Sequence, residues 1–166
     1  MVKKPFAAAA DQNRDDILQV LKQSFKHSKT VLEIGSGTGQ HAIYFSRHLP
    51  HLRWQASDTK PMLKGIQSWI DDATSPNLPN AIELDVNTTW PSEKYDAAFA
   101  ANIAHIMHWK DLEALFKGLS ATLSDSAIFC LYGPFNINGS YTSESNQRFD
   151  NWLKQRDPES GLRDKE

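Results

Sequence analysis

Residues 30–35, "TVLEIG", run directly into "SGTG" and then into "QHAIYFSRHL". The first piece is short and apolar, as a buried strand is. The last spaces Ala42, Phe45 and Leu49 along one face of a helix. Between them Gly35, Gly37 and Gly39 suit a tight strand-to-helix turn, because glycine tolerates positive φ and lets other groups approach the backbone. A strand buried in this way needs parallel neighbours and helices over both of its faces. That requirement narrows the fold more than any other feature of the chain.

The rest of the sequence supplies those neighbours. "LRWQASD" reads as a second strand ending at Asp58, and "PMLKGIQSWIDDA" as a helix with Pro61 in its first turn. Ala81 to Val86 reads as a third strand and "YDAAFAANI" as a fourth, almost wholly apolar one. "WKDLEALFKGLSATL" is an amphipathic helix carrying Leu112, Leu115, Phe116, Leu119 and Leu123, and "SAIFCLYGPF" is a fifth strand closed by a Gly-Pro turn. Upstream, "DQNRDDILQVLKQSFK" places Ile17, Leu21 and Phe25 at helical spacing beside Leu18, with acids first and lysines last as a helix dipole favours. The alternation from 30 to 135 predicts a three-layer, doubly wound, Rossmann-like α/β fold with a mostly parallel sheet. With no internal repeat and no low-complexity linker, residues 1–166 read as one domain. Residues 1–29 form its N-terminal helix, 30–135 its core, and 136–166 a polar loop and a helix around "SESNQRFDNWLKQRD".

A net charge of −2, with no cluster of Lys and Arg interleaved with aromatics, points away from nucleic acid. No run has the length of a membrane span. The apolar part of "MVKKPFAAAADQNRDD", Phe6 to Ala10, is too short for a secretory leader, so a cytoplasmic protein is expected. The one cysteine, Cys130, sits in an apolar run and reads as a small buried hydrophobe. His105 and His108 are three apart, and His41 is able to approach them in space, but the sequence offers no metal-ligand spacing and no metal is expected.

A strand, a glycine turn and a helix together expose backbone N–H groups at a positive helix end. The dinucleotide fingerprint wants glycine at its first, third and sixth positions, and the sixth is Gln40 here, so the pyrophosphate motif fails. A purely structural turn stays open as an alternative. Asp58 lies about 20 residues beyond the turn, where an acid meets ribose hydroxyls. Asp85, in "ELDV", is placed to accept from an exocyclic amine while Val86 packs an aromatic ring. Each acid alone serves equally well as a helix cap or a solvated strand end. At successive strand ends beside the glycine turn, they line one cleft.

"VLEIGSGTGQH", the acid of "ASD", "ELDV" and "AANIAH" together resemble class I S-adenosylmethionine-dependent methyltransferases, whose acid-x-G-x-G-x-G motif is matched from Glu33 to Gly39. More narrowly, "ADQNRDDILQVL", "SGTGQHAIYF", "NIAHI", "YGPFNINGSYTSESNQRFD" and "GLRDKE" are similar to the methyltransferase-like protein 26 family, short proteins without an assigned substrate. The resemblance implies S-adenosylmethionine as cofactor and S-adenosylhomocysteine as product. Gly35, Gly37 and Gly39 would carry the cofactor's amino-acid and ribose parts, with Ser36 and His41 lining the turn. Glu33 would steady the turn or sit near the methionyl amine. Asp58 would take the ribose hydroxyls, Asp85 with Val86 the adenine, and Asn102 the methionyl end. Asn13 and Arg14 match the family's N-terminal position, on a helix expected to fold over the cofactor. Arg14 would meet the cofactor carboxylate or, alternatively, stay solvated. Members usually continue with a helix and a strand hairpin, so the last strands of the sheet are expected outside these 166 residues.

Methyl transfer from a sulfonium is an in-line displacement that needs a base only when the acceptor must lose a proton. His105, just after the fourth strand, is the candidate base or positioning group, with a histidine bonded to its own loop as the alternative. Tyr132, Asn136, Asn138, Ser145 and Asn146 would form a polar pocket for a small-molecule acceptor, as the resemblance suggests. Trp54 and Trp69 read as core, and Trp90 or Trp109 as a pocket wall. Two other functions fit the fold. A nicotinamide-dependent oxidoreductase is disfavoured by Gln40 and Asp85, whereas a non-catalytic S-adenosylmethionine sensor or partner-dependent module has the same residues.

Overall fold

The computed structural model describes residues 4–165; Met1 to Lys3, the start of the segment weighed as a leader, and Glu166 lie outside it. Five strands form the main sheet: β1 (Thr30–Ile34), β2 (Arg53–Asp58), β3 (Ile82–Glu83), β4 (Tyr95–Ala101) and β5 (Leu123–Tyr132). Their order is β3-β2-β1-β4-β5, and every neighbouring pair is parallel. The order reverses between β1 and β4, which opens a crevice at the carboxyl ends of those strands.

Successive side chains of a strand face opposite ways, and this sorts the core into two layers. Val31, Trp54, Ala97 and Phe99 pack with Ile17, Leu21, Phe45 and Ile66, and so bring α1 (Ala8–Ser24), α2 (Gln40–His48) and α3 (Lys60–Ala73) onto one face. Leu32, Ile34, Ala98 and Ala100 pack with Leu112, Leu115 and Leu119 of α4 (Trp109–Thr122) on the other face. The expected three-layer α/β fold is therefore present. Among the described residues, no helix is long and apolar enough to cross a membrane.

Three elements differ from expectation. The third strand shrinks from Ala81–Val86 to Ile82–Glu83, because an isolated bridge between Asp85 and Thr89 turns the chain off the sheet edge. The fifth strand starts at Leu123 with no intervening loop, and Cys130 on it is only half-buried. The tail forms β6 (Phe135–Asn136), α5 (Glu144–Arg156) and β7 (Arg163–Asp164), with β6 and β7 paired in parallel as a separate two-stranded sheet. Ser143 caps α5, its hydroxyl accepting from the Asn146 N–H at 3.1 Å.

Candidate functional site

The glycine turn is held from behind. Ser36 donates its N–H to the Ser57 carbonyl and its Oγ accepts from the Ser57 N–H, which ties the turn to β2. At Gly35, with φ of 69°, a Cβ would stand 2.8 Å from Ile103 Cγ2. At Gly39, with φ of 88°, one would stand 3.2 Å from the backbone of Ile66, so this glycine lets α2 start against α3. Under the turn, Glu33 is 2% exposed and its Oε2 accepts from the Trp54 indole N–H at 2.9 Å. Burial raises the Glu33 carboxyl from its ordinary 4.5 to about 7, against the lowering effect of the Trp54 and Ser36 hydrogen bonds.

Asp58 is oriented by the turn itself. Its Oδ2 accepts from the Gly37 N–H at 2.8 Å, and its Oδ1 from the Thr59 N–H at 2.7 Å and the Thr59 hydroxyl at 3.3 Å. A carboxylate offers about four lone-pair sites. Oδ2 keeps one free, and the long Thr59 hydroxyl contact is the weakest of the three, so a vicinal diol has two places to bind. Gly35, Asp58, Asp85 and Val86 line one cavity of about 420 Å³ with Thr59, Asn87, Ile103, Ile106 and Met107. Asp85 Oδ1 accepts from the Asn87 N–H at 2.9 Å, which orients the carboxylate. Asp58, Asp85 and Asp111 give this cavity its acids, and Ile103 and Met107 its apolar walls.

A second cavity of about 520 Å³ opens over the ends of β4 and β5. Asn13 from α1, Asn102, Tyr132 and Asn146 line it, together with Gln12, Asp16 and Gly133. Asn102 adopts φ of 59° and donates its N–H to the Tyr132 carbonyl, which leaves its side chain at the cavity. His105 stands beside it, 5% exposed, with Nδ1 buried and without a hydrogen-bond partner. Burial, aided by the nearby Arg163 cation, lowers the His105 pKa, so the ring is neutral near pH 7. The Phe149 ring meets it edge-on at 5.2 Å between centroids.

The turn carrying Ile103, His105 and Met107 separates the two cavities, and the tail grips it. Arg163 Nε donates to the Ala104 carbonyl, the Gly161 N–H to His105, Ser160 Oγ to Ile106 and Arg163 Nη2 to Met107. Four consecutive carbonyls are thereby satisfied by residues 160–163. Asp150, fully buried, anchors that strap by accepting from the Leu162 N–H at 2.7 Å, the Tyr141 hydroxyl and Lys154. His108 closes it from the other side, with Nε2 at 2.7 Å from Asp157 and Nδ1 at 3.3 Å from Glu159.

Other nominated residues are placed elsewhere. His41 turns its Nε2 to Asn13 Oδ1 at 2.8 Å and to the Ala10 carbonyl at 3.2 Å, so it joins α2 to α1 and stands apart from His105 and His108. Arg14 pairs with Asp11, lies over the Tyr44 ring and lines a separate depression with Gln40 and Trp69. Asn136 is partly buried with its Oδ1 unpartnered, Asn138 lies in an exposed turn, and Ser145 bonds Ser143; none of the three lines the second cavity. The Trp90 indole packs on Gly118, where a Cβ would clash at 2.0 Å, and walls neither cavity. Trp109, 62% exposed, lines a larger apolar depression of about 710 Å³ with Phe116 and Phe135. That depression holds no glycine turn and neither Asp58 nor Asp85, so size does not mark the site.

This fold is the Rossmann-like fold seen in class I S-adenosylmethionine-dependent methyltransferases. The chain superposes on the S-adenosylmethionine-dependent methyltransferase SibL with a TM-score of 0.80 at 18% identity, covering 95% of this chain and 46% of that one. An O-methyltransferase family protein from Burkholderia thailandensis gives 0.79 at 12% identity, with coverages of 95% and 48%. Coclaurine N-methyltransferase bound to N-methylheliamine and S-adenosylhomocysteine gives 0.61 at 18% identity, with coverages of 78% and 38%. The chain spans about half the length or less of these structures. Within the fold class, the chain belongs to the DUF938 family of proteins of unknown function, whose model matches residues 4–166.

Proposed function

We propose that this chain is an S-adenosylmethionine-dependent methyltransferase acting on a small polar acceptor. One observation carries the reading: Asp58, held by the Gly37 and Thr59 N–H groups, lines one cavity together with the glycine turn and Asp85. That arrangement suits a nucleoside without a pyrophosphate. Bound there, S-adenosylmethionine would supply a methyl group already activated on a sulfonium. Asp58 would hold the ribose diol, Asp85 the adenine amine, and Ile103, Met107 and Val86 would exclude water from the ring. Asn102 would face the methionyl end, and α1 would cover it with Asn13. The second cavity, with Tyr132 and Asn146, would take the acceptor, and His105 would accept its proton. In this reading Glu33, Ser36 and His41 support the turn from behind, and Arg14 braces α1. The likeness to the methyltransferase-like protein 26 family and a cytoplasmic location belong to the same reading.

The test is transfer of labelled methyl from S-adenosylmethionine into a metabolite extract. The reading expects label in a small polar product. Tight cofactor binding with no transfer to metabolites, protein or RNA would make the chain a sensor instead.

A further inference from the structure

His41 is the second residue of α2, directly behind the glycine turn, and its ring reaches α1. Its Nε2 stands 2.8 Å from Asn13 Oδ1 and 3.2 Å from the Ala10 carbonyl oxygen. A backbone carbonyl only accepts, so Nε2 must carry a proton, in the neutral ring as in the charged one. That proton decides the Asn13 carboxamide in turn: its oxygen faces His41, and its NH₂ is the end left over. Gln40, one residue earlier, holds the same helix. Its Oε1 accepts from the Ala7 N–H at 2.7 Å, and its Nε2 donates to Asp11 Oδ1 at 3.1 Å. Two consecutive side chains thus tie α1 to the start of α2.

Asn13 lines the second cavity, and its NH₂ makes no hydrogen bond among the described residues. We propose that His41 is a positioning residue: it holds the Asn13 NH₂ toward this cavity as a donor for the carboxylate of the cofactor's amino-acid end. The proposal rests on the cofactor reading given above. Asp16 follows Asn13 by one helical turn and lines the same cavity. An amino-acid end is a zwitterion, whose carboxylate needs donors and whose ammonium needs an acceptor. α1 offers one of each, three residues apart on one face. No Lys or Arg lines the cavity, so its chemistry suits a zwitterion better than a bare anion.

The histidine acts through orientation and touches no ligand. The oxygen and NH₂ of a free carboxamide are close in size, so it turns over readily and in one orientation offers oxygen to a carboxylate. With that flip fixed, the donor is in place before the ligand arrives, which lowers the ordering cost of binding. The ring is itself held. His41 is buried, stacked on Phe45 with 5.2 Å between centroids and edge-on to Phe99 at 6.1 Å. It therefore couples the helix that follows the glycine turn to the one polar face of α1 that meets the cavity.

The test sets S-adenosylhomocysteine against 5′-methylthioadenosine, which has the same nucleoside and sulfur but no amino-acid end, by calorimetry on the full chain. His41→Phe keeps an aromatic ring against Phe45 and removes the N–H. It should weaken S-adenosylhomocysteine roughly tenfold, as the loss of a hydrogen bond to a charged group does, and leave 5′-methylthioadenosine within about twofold. His41→Gln, which carries an N–H in place of Nε2, should recover most of that loss. In the parent chain, ¹⁵N NMR should find the His41 proton on Nε2. S-adenosylhomocysteine should shift the Asn13 side-chain amide, and 5′-methylthioadenosine should not. A proton on Nδ1 alone, an Asn13 amide that does not move, equal weakening of both ligands by His41→Phe, or no weakening of either would overturn the proposal. A parent chain that binds neither ligand defeats the cofactor reading itself, and this proposal with it.

Discussion

The two halves of the sheet's carboxyl edge are finished differently. On the β1–β2–β3 side the polar groups bind one another: Asp58 takes Gly37 and Thr59, Ser36 takes Ser57, and Asp85 takes Asn87. On the β4–β5 side, His105 Nδ1 and Asn136 Oδ1 are buried without partners, and the turn between the cavities is held from outside by the tail. The first half is preorganised, which suits the cofactor role proposed for it. The second leaves buried polar atoms unpaired and depends on the tail for its shape. Preorganisation lowers the ordering cost of binding, whereas an orphaned polar atom gains only when its ligand arrives.

The largest expected effect lies beneath the ordered half. Glu33 folded has a pKa of about 7 against 4.5 as a free group. Because the native state keeps that proton longer, stability is full below 4.5 and falls as pH rises toward 7, by about 3 kcal/mol. Glu33→Gln keeps an oxygen for the Trp54 indole and removes the titration. Its thermal midpoint should therefore pull ahead of the parent's between pH 5 and pH 8. A constant gap across that range would show that Glu33 ionises normally.

Asp58→Ala comes next. Losing hydrogen bonds to a charged group costs about 1.5–3 kcal/mol, so S-adenosylhomocysteine should bind on the order of ten- to a hundredfold more weakly by calorimetry. Unchanged affinity would remove Asp58 from the ribose role and with it the distinction between the halves.

Arg163→Ala tests the strap. It deletes the donors to the Ala104 and Met107 carbonyls, for a loss of about 1–2 kcal/mol in chemical denaturation. Removing its cation should also raise the His105 pKa toward 6.5, while His41, lowered mainly by its own burial, stays put. Histidine titration by NMR separates the two, and equal movement of both would erase the regional difference.

The smallest effect is at His108. Its hydrogen bond to Asp157 raises the histidine above 6.5 and lowers the aspartate below 3.8. The histidine's contribution is present below 6.5 and is lost as pH climbs through its raised value. The aspartate's is present above 3.8 and is lost as pH falls through its lowered one. Amide exchange at Ser160 and Gly161, corrected for intrinsic rate, should be slowest between those limits and faster at pH 8. A flat profile would show that the clasp does not hold the strap.

Much of the ordered half was legible in the sequence because it is local. "TVLEIGSGTGQH" fixes strand, turn and helix within twelve neighbours, and Asp58 and Asp85 are reached by counting strand ends. The other half depends on contacts with no periodic trace. Gly161 meets His105 across the fold, and the two-residue strands β6 and β7 are too short to show an alternation. Ile103 and Met107 read as ordinary apolar residues, and only their position against Gly35 and Asp58 makes them cavity walls. Arg14 and His41 show the converse. Their residue types suited a cofactor, yet Arg14 pairs with Asp11 within α1 and His41 of α2 is engaged by Asn13 and Ala10 of α1.

The central claim is that the β1–β2–β3 crevice accepts an adenosine joined to a sulfur-linked amino acid. Calorimetric titration of the full chain with S-adenosylhomocysteine and, separately, with NAD tests it most directly. The account predicts saturable one-to-one binding of S-adenosylhomocysteine, weakened by Asp58→Ala, and no saturable binding of NAD. Saturable NAD binding with no response to S-adenosylhomocysteine would contradict it.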